Sequence, residues 1–292
     1  MKDLNINNFR DIKIDDYAEY TSFLGKSILN PNCEQSFHNL FVWSKPYKLK
    51  ICFYKNLVLT YCEDDEFISM PLGDIKLKEL VVLSEKFKEE GKKGIIGNIP
   101  IDYFDKNEAE KYFEISVVKD YSDYIYSTEK FIGLSGKKLR KKRNQIKQFI
   151  SKYPSYEIIN LSKNRLNILS PLLTKWFDIN NGEEISKEKE ALNQSLNYFE
   201  ELKLNGLAIT INNETIAFCI YSEITEDSCM VHFEKANYEY KGVTALLNHE
   251  LAKSIKYKYI NREHDLGEEG LRHSKKSYDP DYLLDTYVFK LK

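Results

Sequence analysis

Leu207-Ala208-Ile209-Thr210-Ile211, Asn212-Asn213-Glu214, Thr215-Ile216-Ala217-Phe218-Cys219-Ile220-Tyr221 is the stretch that decides the fold. Two apolar, β-branched runs flank a polar turn, which is the pattern of a β-hairpin. Thr225-Glu226-Asp227-Ser228 is a second turn, and Cys229 to Phe233 a third strand. Val243, Leu246, Leu247, Leu251 and Ile255 then recur at helical spacing, so Val243 to Tyr257 reads as a helix. Lys258 to Ile260 is a short strand, Glu268 to Ser277 a helix with Pro280 soon after it, and Thr286 to Leu291 a last strand. The order of this half is β-β-β-α-β-α-β.

The residues upstream give nearly the same order. Asp15 to Leu29 is a helix that stops before Pro31, and Leu49 to Tyr54 pairs with Leu57 to Tyr61 around Lys55-Asn56. Phe67 to Met70 is a third strand, Leu77 to Glu90 an amphipathic helix ended by Gly91, and Gly94 to Ile99 a strand. Asp105 to Lys111 is a short helix and Tyr112 to Val118 a strand. One topology met twice in 292 residues predicts a duplicated α/β (α+β) fold with domains at 1–122 and 123–292. Each is expected to be a mixed, mostly antiparallel sheet flanked by helices.

Composition narrows the class. An apolar fraction of 42%, with 21 Tyr, 16 Phe and 2 Trp, excludes a disordered chain. No run approaches the roughly 18 apolar residues of a membrane span. Met1-Lys2-Asp3-Leu4-Asn5 carries no apolar stretch of the kind a Sec leader needs, so a cytoplasmic protein is expected. Five cysteines (Cys33, Cys52, Cys62, Cys219, Cys229) without C-x-x-C spacing read as reduced core thiols, and no metal site is indicated.

The net charge of −2 conceals an asymmetry. Between Lys130 and Tyr156 stand Lys130, Lys137, Lys138, Arg140, Lys141, Lys142, Arg143, Lys147 and Lys152, with no acidic residue. That segment is +9, so the rest carries −11. Leu139, Ile146, Phe149 and Ile150 keep helical spacing, so Gly136 to Ser151 reads as one helix. Its inward stripe is interrupted by Lys142 and Arg143, and a cation there must meet an anion or a wet cleft. Such a helix suits a polyphosphate (nucleic acid, CoA or a lipid surface) at one defined place; the plain alternative is a solvated face. Only six of the 43 basic residues are Arg, and four fall in 140–143 and 262–272, where a planar bidentate donor is useful.

Three further segments carry candidate chemistry. Tyr238-Glu239-Tyr240-Lys241-Gly242-Val243 leads into a helix N-terminus, which suits a phosphate at Gly242 or is an ordinary turn. The corresponding Pro71-Leu72-Gly73-Asp74 places a carboxylate there, so the first half is expected to lack a phosphate loop. Asn261-Arg262-Glu263-His264-Asp265 follows a strand end, where α/β sheets bind ligands, and can hold an amine, a hydroxyl or a ribose; the alternative is a capped loop with internal ion pairs. His232 and Glu234 flank Phe233 on one face of a strand, either as a general base with its orienting partner or as a structural pair. Tyr278 either donates a proton to a leaving group or packs.

The β-β-β-α-β-α-β order resembles the acyltransferase fold of the GCN5-related N-acetyltransferases. Tyr124-Ile125-Tyr126-Ser127-Thr128-Glu129, Gly136-Lys137-Lys138, Lys142-Arg143-Asn144, His232-Phe233-Glu234-Lys235-Ala236, Tyr259-Ile260-Asn261-Arg262-Glu263, Asp265-Leu266-Gly267, Gly270-Leu271-Arg272 and Ser277-Tyr278 go further. They look like the soluble bacterial family that shares its domain with the C-terminal part of phosphatidylglycerol lysyltransferase. The resemblance covers essentially the whole chain. It implies two such folds in tandem, substrates in a cleft between them, and acyl or aminoacyl transfer to a hydroxyl or an amine.

For the lysyltransferase the donor is aminoacyl-tRNA and the acceptor a lipid. This chain has no membrane portion to go with a lipid acceptor. Glu239 and Thr244 around Gly242 also depart from the acetyltransferase phosphate loop that binds acetyl-CoA. With an activated donor the protein mainly aligns groups and stabilises an oxyanion. On this reading Glu234 or His232 takes the acceptor proton and Tyr278 protonates the leaving atom. Lys138, Arg140, Lys142, Arg143 and Gly242 hold donor phosphates, and Asn261, Arg262, Glu263 and Asp265 the acceptor. The cofactor candidates are the donors themselves, aminoacyl-tRNA or acyl-CoA. The competing readings are an acyl-CoA-dependent N-acetyltransferase and an RNA-binding or regulatory protein on an inactive fold.

Overall fold

The computed structural model describes residues 4–27 and 31–292. The end of the first helix near Leu29 and the first three residues lie outside the described residues. The chain divides into two compact units, Met1–Ser122 with Leu284–Lys292, and Asp123–Leu283.

The first unit contains β1 (Arg10–Asp11), α1 (Tyr17–Ser27), α2 (Phe37–Val42), β2 (Leu49–Tyr54), β3 (Leu57–Cys62) and β4 (Phe67–Ser69). It continues with α3 (Leu77–Glu89), β5 (Ile95–Pro100), α4 (Lys106–Ala109) and β6 (Phe113–Val117). The second unit contains β7 (Asp123–Ser127), α5 (Thr128–Gly133), α6 (Arg140–Lys152), β8 (Glu157–Asn160), α7 (Ser170–Ile179) and α8 (Glu183–Asn197). It goes on with β9 (Asn205–Ile211), β10 (Glu214–Thr225), β11 (Ser228–Ala236), α9 (Val243–Ser254), β12 (Tyr259–Asn261), α10 (Glu269–Lys276) and β13 (Tyr282–Leu284). The chain ends in β14 (Thr286–Leu291).

Each sheet has seven strands, in the orders β1-β2-β3-β4-β5-β14-β6 and β13-β7-β12-β11-β10-β9-β8. Most neighbours are antiparallel, but β4 and β5 are parallel, as are β11 and β12, with α3 and α9 as the crossovers. This is the tandem acyltransferase-type fold. The placement of Thr286–Leu291 in a 123–292 domain is corrected: β14 lies between β5 and β6, antiparallel to both. The physical reason is that the slot beside β12 is already filled by β7, a segment whose strand character the sequence reading passed over. Phe289 of β14 is buried against Phe113, with ring centroids 5.1 Å apart.

In the second unit α6 and α9 pack on one apolar cluster that includes Leu139, Ile146, Phe149, Leu246, Leu247 and Leu251. Gly242 makes the approach possible. Its φ is +96°, and a Cβ there would lie 2.6 Å from the carbonyl oxygen of Gln145. The basic helix begins at Arg140 rather than Gly136, because Leu134 and Gly136 both take left-handed backbone and keep 134–139 out of the helix, with 136–139 as turn. All five cysteines are buried, and none is joined in a disulfide.

Candidate functional site

The site starts from an irregularity in β11. Ile220 pairs with Phe233 and Tyr221 with Val231, so His232 is an extra residue in the ladder. Such a bulge re-aims side chains and is common beside active sites. The His232 ring is buried, with Nε2 2.8 Å from Ser222 Oγ and Nδ1 3.0 Å from Glu263 Oε1. Burial lowers its pKa to about 3, so the imidazole is neutral. The carboxylate can only accept, so Nδ1 carries the proton and Nε2 accepts the Ser222 hydroxyl.

Two residues on, Glu234 meets a different set. Its Oε2 accepts from Arg262 Nη2 at 2.8 Å and its Oε1 from Asn248 Nδ2 at 3.1 Å. Asn248 was not foreseen; its signal is an amide inside the apolar stripe of α9, where it is buried. The Arg262 guanidinium stands 4.9 Å from the Tyr278 ring and 5.9 Å from that of Tyr126. Lys142 Nζ lies 3.8 Å from the Tyr278 centroid. Burial first, and then the Arg262 charge, bring the Lys142 pKa down to about 8. Burial raises that of the Tyr278 phenol, which stays protonated.

Three buried polar atoms of this group have no hydrogen-bond partner: Arg262 Nη1, Tyr278 Oη and Asn248 Oδ1. Asn248 is also the neighbour whose side chain draws the Tyr278 pKa slightly back down against burial. Buried polar groups are nearly always paired, so three orphans around one carboxylate mark a place shaped for something else.

The remaining candidates sort differently. Asn261 holds the buried Asp123 through Nδ2 at 2.7 Å and accepts the Glu263 amide at 2.7 Å. Asp265 is buried and takes Arg272 through both oxygens at 2.9 Å, Tyr124 Oη at 2.6 Å and the Gly267 amide. Burial opposes its ionisation, but these bonds outweigh it and hold the pKa down to about 2. Lys275, also missed, donates to the carbonyls of Arg262, Glu263 and His264. Asn261 and Asp265 therefore build the loop that presents Arg262 and Glu263.

On α6 the two inward cations are half-buried, and neither is paired with an anion among the described residues. Lys142 meets the aromatic face just described, and Arg143 Nη1 donates to the carbonyls of Leu134 and Gly136. Arg140 is exposed, and Lys138 is exposed and paired with Asp279 at 2.7 Å. Gly242 is accounted for by the contact with Gln145.

The match to the family described as phosphatidylglycerol lysyltransferase, C-terminal, spans residues 26–290. This chain belongs to that family. Its acyltransferase-type fold and this membership together support acyl transfer as the general activity. A conserved protein of unknown function from Bacteroides thetaiotaomicron has a crystal structure 32% identical in sequence, with a TM-score of 0.88, covering 97% of this chain and 99% of that one. The L-PGS structure from Bacillus licheniformis shares the fold at a TM-score of 0.62 and 16% identity, over 97% and 94% of the two chains. An uncharacterized protein of Mycoplasmoides gallisepticum is 28% identical over 193 residues, 61% of this chain and 59% of the relative. The chain thus spans about three-fifths of the length of that curated relative. Among the described residues no helix is long and apolar enough to cross a membrane.

Proposed function

We propose that this phosphatidylglycerol lysyltransferase-family chain moves an activated aminoacyl group, in the cytoplasm, from a phosphate-bearing donor of the aminoacyl-tRNA type to a hydroxyl or amine acceptor. The observation that carries the reading is the set of orphaned atoms around Glu234: Arg262 Nη1, Tyr278 Oη and Asn248 Oδ1. Two are donors and one is an acceptor, which suits an aminoacyl ester. Arg262 Nη1 takes the carbonyl oxygen and the charge that develops on it, Tyr278 Oη the leaving oxygen, and Asn248 Oδ1 an N–H of the amino group.

In this scheme Glu234 accepts the proton of the attacking acceptor, close to the Arg262 charge that stabilises the oxyanion. Tyr278, a neutral phenol, hydrogen-bonds the leaving oxygen. Lys142 adds a second positive charge over the same ring, so Lys142 and Arg262 outnumber Glu234 and the group favours an anionic transition state. Lys138, in the turn before α6, and Arg140, in its first turn, hold the donor's phosphates, and Glu263 and Arg262 face the acceptor. Arg143 contributes by fixing the turn from which α6 starts.

The test is transfer of a radiolabelled amino acid from charged tRNA to a panel of amine and hydroxyl acceptors. Wild-type protein is expected to transfer label, and Glu234→Gln to do so at least 10²-fold more slowly. A thermal shift with CoA or acetyl-CoA, but none with tRNA, would instead favour an acyl-CoA-dependent N-acetyltransferase. Salt-sensitive tRNA binding without any transfer would point to an RNA-binding role.

A further inference from the structure

Ser222, His232 and Glu263 stand in the geometry of a nucleophile, its base and the base's orienting carboxylate. Ser222 Oγ is 2.8 Å from His232 Nε2, and His232 Nδ1 is 3.0 Å from Glu263 Oε1. We propose that Ser222 is an acyl-accepting nucleophile, so that the protein forms an acyl-serine with carboxylic esters and passes the acyl group on to water or to an acceptor. The proposal takes only its substrate class, an activated ester, from the function proposed above.

The arrangement is specific in several ways. Ser222 and His232 lie on the paired strands β10 and β11, and Glu263 comes to them from the loop after β12. The lone pair on Nε2 of the neutral imidazole points at the Ser222 hydroxyl, so the proton His232 can remove is that of Ser222. The base itself is reached by bulging a strand. Glu263 is held in left-handed backbone, φ +55°, which a non-glycine residue adopts only at a cost. The Asn261 side chain and the Lys275 ammonium maintain it there, by binding the Glu263 amide and carbonyl. Ser222 keeps 8% of its surface exposed, and the His232 side chain behind it only 1%.

The step balances as follows. Ser222 Oγ attacks the ester carbonyl and its proton passes to His232 Nε2; Glu263 steadies the imidazolium through Nδ1–H. The tetrahedral intermediate collapses, the C–O bond to the alcohol breaks, and that alcohol leaves with the proton from Nε2. Water or an acceptor then enters, gives its proton to Nε2, and displaces Ser222 Oγ, which recovers its own.

The full chain is incubated with p-nitrophenyl acetate and, separately, with an alkyl fluorophosphonate. The expected result is a burst of p-nitrophenolate and a single covalent adduct, mapped to the peptide carrying Ser222. Ser222→Ala should lose the adduct and slow ester cleavage at least 10²-fold while melting cooperatively. Ser222→Cys, which keeps a nucleophile, should regain acylation, and Glu263→Gln should slow labelling at the same serine. No adduct on folded wild-type protein, an adduct elsewhere, or undiminished cleavage by Ser222→Ala would overturn the proposal. Because the probes contain no tRNA, labelling without transfer from charged tRNA would leave this inference standing and refute the donor assignment. Transfer that survives in Ser222→Ala without wild-type labelling would do the reverse.

Discussion

At the end of the parallel strand in each sheet, one non-glycine residue takes left-handed backbone: Asn98 with φ +56° in β5, and Glu263 with φ +55° just past β12. Around Asn98 every bond is between neutral groups. Its side chain receives Asn32 Nδ2 at 3.2 Å and donates to Ser69 Oγ at 3.1 Å, and its carbonyl receives Gln35 Nε2 at 3.0 Å. Around Glu263 the partners are charged or titratable: His232, then Arg262 with Glu234, then Asp265 with Arg272. One backbone solution thus serves twice, once with amides that hold strands together and once with charges that hold a group in readiness. The lesson is that duplication conserves geometry while the side chains decide which copy does chemistry.

The largest expected effect tests whether the charged copy is also the more fragile. Asp265→Ala removes three anchors of the 262–272 loop, the bonds to Arg272, Tyr124 and the Gly267 amide, so it should cost about 3 kcal/mol in urea unfolding. Asn98→Ala should cost roughly 2 kcal/mol, from neutral bonds and left-handed backbone. Equal costs would break the comparison. Because the Asp265 pKa is depressed from 3.8 to about 2, its contribution is present above pH 3.8 and lost as the pH falls towards 2. The acid limb of the wild-type melting curve should therefore flatten in the variant.

A middle-sized effect concerns Lys142. Its pKa falls below the ordinary 10.5 to about 8, so between those values the unfolded chain holds more protons and stability rises with pH. Below pH 8 the buried ammonium is a net cost. Lys142→Met should therefore melt above wild type at pH 7, and the gap should close by about pH 10.5. A gap independent of pH would show that packing rather than charge is at work.

The smallest effects separate neighbours on α6. Arg140→Ala should lower the slope of log affinity for tRNA against log salt by about 1. Arg143→Ala should leave that slope unchanged and lower the melting temperature, because its guanidinium serves carbonyls rather than phosphates. The reverse outcome would return Arg143 to the donor site.

Much of the fold was legible because alternation and helical spacing are local. The runs at 207–233 and the stripe from Val243 to Leu251 lie where the pattern puts them. The helices α7 and α8 went unread despite Pro171 in the first turn of one and Glu183-Glu184 opening the other, both ordinary start signals. Strand β14 was read as a strand but not assigned to its sheet, since pairing across the length of the chain leaves no local trace. The site was legible as residue types and not as partnerships. His232 and Glu234 are two apart, yet they bond to Glu263 and Arg262, and nothing in the spacing says so. Gly242 shows the opposite failure, where a phosphate-loop pattern has a packing explanation in Gln145.

The insertion of β14 between β5 and β6 has a consequence during synthesis. Those two strands are complete once Val117 has been made, but the strand that joins them begins only at Thr286, 169 residues later. At roughly 5–20 residues per second, the nascent first sheet spends on the order of 10–30 s with two open edges and with Phe113 lacking the ring that covers it. The ribosome thus sets the order of assembly: the half made first is the half finished last. A stalled or clipped product lacking only its final strand would expose its fault in the amino-terminal unit.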